Sequence, residues 1–339
     1  EVAVIKYPSL DAVNNALYVL EGKILKELML EKNAGRRKEL VKQFIAVRNS
    51  RISSLDSTLV EYENLNEYVE GTAKYVEYKF LSLGTNLEPG EEMYYHYGFN
   101  GYASQLPKIF KERADDMMKI VSLSDNRTGN IYGTGPVRFR LYESGAAIAF
   151  TLDDFYPGWK KEIFNDNVYL FNLLKKAVPL SFEEEKNYLM KAKQDFGYDE
   201  AFADKLKFEE DGKKFKKKKL DEIFNTDKTL ITISYDGFSE KAGVVRYTPF
   251  GIMPVDDKTN IFELVPVKVR IKDEVMLDMK KVIPVCVDKL NKKIVFAVST
   301  LPQDIKQSSS GEIESEEFLL SGAKTKMSIS ENKVTISFE

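Results

Sequence analysis

The feature that most narrows the fold of this chain is a change of hydrophobic period near residue 226. Before it, apolar residues recur at three- and four-residue steps. Leu17, Leu20, Ile24, Leu25 and Leu28 form one such set, and Leu40, Phe44, Val47 and Ile52 another, so each set shares one face of a helix. After it, T-L-I-T-I-S-Y from Thr229, V-P-V-K-V-R-I from Val265 and K-V-T-I-S-F from Lys333 alternate with period two, and K-I-V-F-A-V from Lys293 adds a strand. The pattern predicts a multidomain α + β chain, with a mostly helical domain over 1–225 followed by an all-β sandwich over 226–339. With 339 residues, 43% of them hydrophobic, there is enough apolar material for both cores.

Charge excludes some partners. A net charge of −3 gives no reason to expect nucleic acid or an acidic membrane surface. The basic run from Asp211 to Lys219 is flanked by Glu209, Glu210, Asp221 and Glu222, and reads as a solvated hairpin or linker. No apolar run approaches the roughly 20 residues of a membrane-spanning helix, so no transmembrane segment is expected. Cys286, the only cysteine, lies in V-I-P-V-C-V and reads as a buried strand residue. A start at Glu1 rather than Met, with no signal-like stretch, fits a processed chain. An extracytoplasmic or secreted location is expected, with the cytoplasm as the alternative.

The stretch from Glu61 to Leu83 reads as one amphipathic helix, with Leu65, Tyr68, Val69, Thr72, Ala73, Val76 and Phe80 on its apolar face. Glu63, Glu67, Glu70 and Glu77 fall close to a second stripe. Carboxylates lined up in this way repel by a few tenths of a kcal/mol per neighbouring pair, so solvent, a cation or an arginine must answer them. Arg48 and Arg51, together on the preceding helix, are the candidates; they either pair with the stripe or stay in solvent. Gly71, mid-helix, costs about 1 kcal/mol relative to Ala and signals that another backbone or a ligand comes close.

Between Leu83 and Gly101 the chain is loop-like and carries Tyr94, Tyr95, His96, Tyr97 and Phe99, an aromatic group that either walls a cleft or packs the loop. Tyr95 and His96 are the cleft candidates. His96 is the only histidine and reads more readily as a hydrogen-bonded packing residue than as a ligand or base. A charged helix is expected over 105–121. Tyr142 to Leu152 reads as a helix whose Gly145, Ala146, Ala147 and Ala149 admit a close neighbour, and Trp159 as the anchor of the next helix. Ser181 and Glu184 have capping-box spacing.

Two motifs carry a family resemblance. Glu70-Gly71-Thr72-Ala73-Lys74-Tyr75-Val76-Glu77 resembles the N-E-G-x-A-x-Y-x-E helix of the gluzincin metallopeptidases, the group of thermolysin and the zinc aminopeptidases, in which the first Glu binds zinc. Tyr142-Glu143-Ser144-Gly145-Ala146, which follows in the same order, resembles that family's Y-E-K-G-(A/S) segment. The resemblance implies a helical peptidase scaffold over roughly residues 1–175, with Glu70 as third zinc ligand and the Tyr142 hydroxyl as donor to the tetrahedral oxyanion. Glu67, Glu77, Arg48 and Arg51 would support that site.

The rest of the family's machinery is missing. H-E-x-x-H needs two imidazoles one turn apart, and this chain has one histidine. At the family's tightest spacing the histidines would fall near Val47 and Arg51, within V-R-N-S-R. Two expectations follow. Either H-E-x-x-H lies upstream of Glu1, giving a zinc-dependent hydrolase of peptides or proteins, or the chain is a degenerate member that binds no zinc, with Arg48 or Arg51 beside Glu70 in place of the metal. A reading from another class is a non-catalytic extracytoplasmic binding or adhesion protein, with loop 94–102 as its contact site and the β-sandwich as its module.

Overall fold

The computed structural model describes residues 2–83, 87–101, 115, 130–235, 243–256, 258–271, 275–322 and 324–338. Helices fill the N-terminal part and two β-sheets the C-terminal part, with the change falling between Phe224 and Thr229. The charged helix expected over 105–121 lies outside the described residues, Asp115 excepted.

After a short helix α1 (Val2–Lys6), α2 (Ala12–Leu30) starts at Asp11, whose carboxylate accepts from the Asn14 amide at 2.6 Å. Its buried face holds Leu17, Leu20, Ile24, Leu25 and Leu28. Asn33 caps α3 (Ala34–Ile52) by accepting from the Arg36 amide, so Asn33-Ala34-Gly35 opens a helix as well as closing the previous one. The short connection makes α2 and α3 an antiparallel pair.

The helix read over 61–83 exists, but not as regular α-helix. It runs as α4 (Ser57–Asn66), a π-helical turn (Glu67–Gly71) and α5 (Thr72–Leu83). The small-residue helix is longer than expected: α6 spans Gly135–Phe155, starting seven residues before Tyr142. Gly71 and Gly145 meet where it crosses the π turn; a Cβ on Gly71 would lie 2.6 Å from the Gly145 Cα. Trp159, fully buried at the start of α7 (Trp159–Glu162), donates its indole N–H to Asp153 at 3.1 Å. Then come α8 (Leu170–Ala177) and α9 (Phe182–Asp195), the latter opened by a complete Ser181–Glu184 capping box.

The basic run is neither hairpin nor linker. It lies inside α10 (Tyr198–Phe224), where Lys213 pairs with Glu209 one turn back at 2.6 Å. Gly212 within it is there for space: a Cβ would sit 2.7 Å from Leu10 Cδ2.

In the β part, one sheet has the order β12-β13-β1-β8-β7-β4-β3 and the other β2-β5-β6-β11-β10-β9. The strands are β1 (Thr229–Ser234), β2 (Gly243–Arg246), β3 (Ile252–Pro254), β4 (Thr259–Phe262), β5 (Lys268–Arg270), β6 (Met276–Met279), β7 (Val285–Asp288), β8 (Lys293–Val298), β9 (Lys306–Gln307), β10 (Ile313–Glu314), β11 (Phe318–Ser321), β12 (Thr325–Ser330) and β13 (Lys333–Phe338). β1 pairs in parallel with β13 and antiparallel with β8. Inward residues of both sheets share one core, where Phe296 of β8 meets Phe318 of β11 edge to face at 5.1 Å. The parts touch where α6 begins: the Thr134 amide donates to the Ile252 carbonyl at 3.2 Å, and Phe139 stacks on Phe250 at 4.9 Å.

Candidate functional site

The helix from Ser57 to Leu83 is inside out relative to its sequence pattern. Leu65, Val69, Val76 and Phe80 are 43–61% exposed, whereas Glu63, Glu67, Gly71, Tyr75 and Tyr78 are buried. The inward positions 59, 63, 67, 71 and 75 step by four throughout, wider than the 3.6 residues of a regular turn. The π turn supplies the extra residue that keeps them aligned. A carboxylate face is tolerable inside only when cations meet it, and here they do.

Arg48 grips Glu67 with both terminal nitrogens, at 2.8 and 2.7 Å, and its Nε donates to Glu21 at 3.1 Å. Arg51 grips Glu63 the same way, at 2.7 and 2.6 Å, and its Nε donates to the other oxygen of Glu21 at 2.6 Å. The third guanidinium, Arg140 on α6, lies over the Tyr18 ring at 3.8 Å and donates to the Asn15 side chain at 3.0 Å and to the Tyr7 hydroxyl at 2.6 Å. Tyr7 in turn donates to Glu63. Ser144 donates to Glu67 at 2.6 Å and accepts from Tyr18 at 3.1 Å. Arg48, Arg51 and Arg140 are each at most 2% exposed, and the three cations face three carboxylates, Glu21, Glu63 and Glu67. Burial by itself would raise the Glu63 pKa; the Arg51 guanidinium outweighs it and holds the group at about 2.

Glu70 is outside this network. Its partner is neither Arg48 nor Arg51 but Arg138, one turn before Tyr142 on α6. Arg138 Nη2 donates to Glu70 at 2.9 Å and its Nε to the Tyr142 hydroxyl at 3.0 Å. The two residues singled out by resemblance thus share one guanidinium from neighbouring helices. Burial raises the Tyr142 pKa, with Arg138 opposing, so the phenol is neutral near pH 7. Beside Arg138, between α4, the start of α6 and the β part, lies a cavity of about 230 Å³ walled by Tyr62, Leu65, Tyr247, Phe250 and Ile252.

The remaining expected site residues are scattered. Glu67 is a buried member of the network, while Glu77 pairs with Lys74 at the surface at 2.6 Å. Tyr95 is 85% exposed, Tyr97 fully exposed, and His96 is exposed with them. Cys286 is buried in β7, and burial pushes its thiol up to about 12, which leaves it inert.

Sequence reasoning missed Tyr7, Glu21, Arg138 and Arg140. A signal existed for Glu21 and for Asn14, polar residues in register with the apolar face of α2. Nothing local marks Arg138 or Arg140, whose role depends on how α6 crosses the π turn.

At the positions that the resemblance names for the histidines, no imidazole stands. Val47 is buried in the helical core, Arg51 is saturated by carboxylates, and Glu70 is held by Arg138. Among the described residues no group of three or more His, Cys, Asp or Glu is arranged to hold a metal ion. Comparison of the chain with protein-family models, with curated proteins and with solved structures finds no match.

Proposed function

We propose that this chain is a non-catalytic binding protein on a gluzincin-like helical scaffold, with a β-sandwich as its second module. The observation that carries the reading is the identity of the groups at the positions where the resemblance calls for imidazoles. Val47 and Arg51 stand there: Val47 is buried in the helical core, and Arg51, with its neighbour Arg48, is fully buried and gripped by Glu21, Glu63 and Glu67. A guanidinium is a fixed cation that neither ligates zinc nor activates water. It supplies the positive charge that a metal would bring to such carboxylates and none of the metal's chemistry.

The contact surface in this reading is the loop around Tyr94, Tyr95 and Tyr97, joined by the outward apolar stripe of α4 and α5. Tyrosine gives large, stiff, amphipathic contact area at low entropic cost and is enriched in protein interfaces. Rings as exposed as Tyr95 and Tyr97 do no packing at home. The partner class is therefore a protein or peptide surface.

Two measurements test the proposal. A mixed peptide library incubated with the protein and zinc chloride should show no new cleavage by mass spectrometry; zinc-dependent cleavage would overturn it. A displayed random-peptide library should enrich binders on the wild-type protein that are lost on the Y94S/Y95S/Y97S variant. Enrichment that ignores the variant would remove the loop from the proposal.

A further inference from the structure

The cavity beside Arg138 has a character that neither the charge network nor the aromatic loop uses. Its walls are mostly apolar and aromatic, from Tyr62, Leu65, Phe250 and Ile252, and among the described residues Arg138 is the only charged side chain that lines it. Two of Arg138's nitrogens are committed, Nε to Tyr142 and Nη2 to Glu70. Its Nη1 makes no hydrogen bond among the described residues, and neither does the hydroxyl of Tyr62, which lines the same space. Arg138 and Tyr62 line the same cavity, which puts both donors on its wall.

We infer that this cavity is a binding site for a small carboxylate on a single apolar or aromatic body, with Arg138 Nη1 and the Tyr62 hydroxyl as the donors to its carboxylate. The argument is one of complementarity. Two donors on one cavity wall, one of them a fixed cation, call for an anionic oxygen pair. Aromatic walls call for an apolar body. A volume of about 230 Å³ admits one residue-sized ligand and little more. Glu70 works against the ligand, because it already holds the other edge of the guanidinium and shares its charge. The site is thus built for a weak, exchangeable ligand. The chemistry fits a free acid and the C-terminal residue of a peptide equally.

The inference stands apart from the non-catalytic reading, since the site lies outside the arginine–glutamate network and the test reads no activity. The intact chain is titrated by NMR with 3-phenylpropionate, with its amide, and with a hexapeptide ending in phenylalanine, free or amidated at the C-terminus. Binding of the acid or the free-ended peptide, with the matching amide weaker by about tenfold or more, is the expected result. Arg138→Gln should weaken it by a similar factor and Tyr62→Phe by less, while Glu70→Gln should tighten it by freeing the guanidinium. Preference for the peptide assigns a chain terminus as ligand, and preference for the acid a free metabolite; both support the site. Equal binding of acid and amide, indifference to Glu70→Gln, or no binding of any probe would overturn it.

Discussion

Gly71 and Gly145 face each other with no side chain between them: a Cβ on Gly71 would lie 2.6 Å from Gly145 Cα, and one on Gly145 would lie 2.6 Å from the Glu67 carbonyl oxygen. Both obstacles are backbone, which cannot rotate away. This contact brings Ser144 within reach of Glu67 and Arg138 within reach of Glu70.

Gly71→Ala should therefore destabilise the protein, although alanine is the better helix former. The expected loss is about 2–4 kcal/mol, because overpacking a backbone contact forces the helices apart. Urea denaturation measures it. Gly71→Ala/Gly145→Ala should cost less than the sum of the single losses, since either methyl alone already separates the helices.

Removing one side of the buried charge network should be worse than removing both. Arg51→Met leaves Glu63 and Glu21 without their main cation and is expected to cost about 3–5 kcal/mol. Arg51→Met/Glu63→Leu should recover roughly half of that, because only Glu21 and the Tyr7 hydroxyl are then short of a partner. A double-mutant cycle by chemical denaturation reads the difference.

The same network sets an acid limit. The Glu63 pKa of about 2 lies below that of an unfolded glutamate, roughly 4.3, so the unfolded chain binds more protons between those values. The stability that Glu63 contributes is complete above about pH 4.5 and drains away as pH falls toward 2. Urea midpoints across that window should drop with acid in the wild type, and the slope should be shallower in Glu63→Gln.

Lys216 on α10 is an opposite case. Its side chain is 9% exposed, it has no ion pair among the described residues, and burial lowers its pKa to about 8. Between pH 8 and the unfolded value near 10.4, the unfolded chain again holds the extra proton, so stability rises with pH there. Lys216→Met should raise stability at pH 7 by about 1–3 kcal/mol and abolish that alkaline gain, as thermal melts at pH 7 and 10 would show.

Much of this fold was legible. The Ser181–Glu184 box and the alternating runs that hold β1, β5 and β13 are local signals, and local physics decides them. Gly71 and Gly145 were each readable as a place of close approach. That Arg48 and Arg51 answer the acidic stripe followed from the need to offset like charges, whereas their full burial did not. What stayed hidden depends on tertiary context. A π turn has no sequence mark, so the apolar residues of α4 and α5 seemed to define the inner face when the glutamates do. The lysine-rich run reads as a hairpin or linker from its charge, while its place in α10 depends on the packing of Gly212 against Leu10. Arg138 takes the place beside Glu70 that was expected of Arg48 or Arg51, because α6 starts earlier than its small-residue stretch indicates.

The arginine–glutamate network also bears on how the helical part can be divided. Its members come from α2, α3, α4, the π turn and α6, with Tyr7 ahead of them all. Cutting the α2–α3 connection and discarding the first piece would strand two guanidinium groups without Glu21; cutting before α6 would strip Glu67 of Ser144 and Tyr7 of Arg140. No stretch shorter than the span from Tyr7 to Ser144 keeps its internal charges matched. Truncation that removes any part of that span should therefore leave an unfolded or aggregating product.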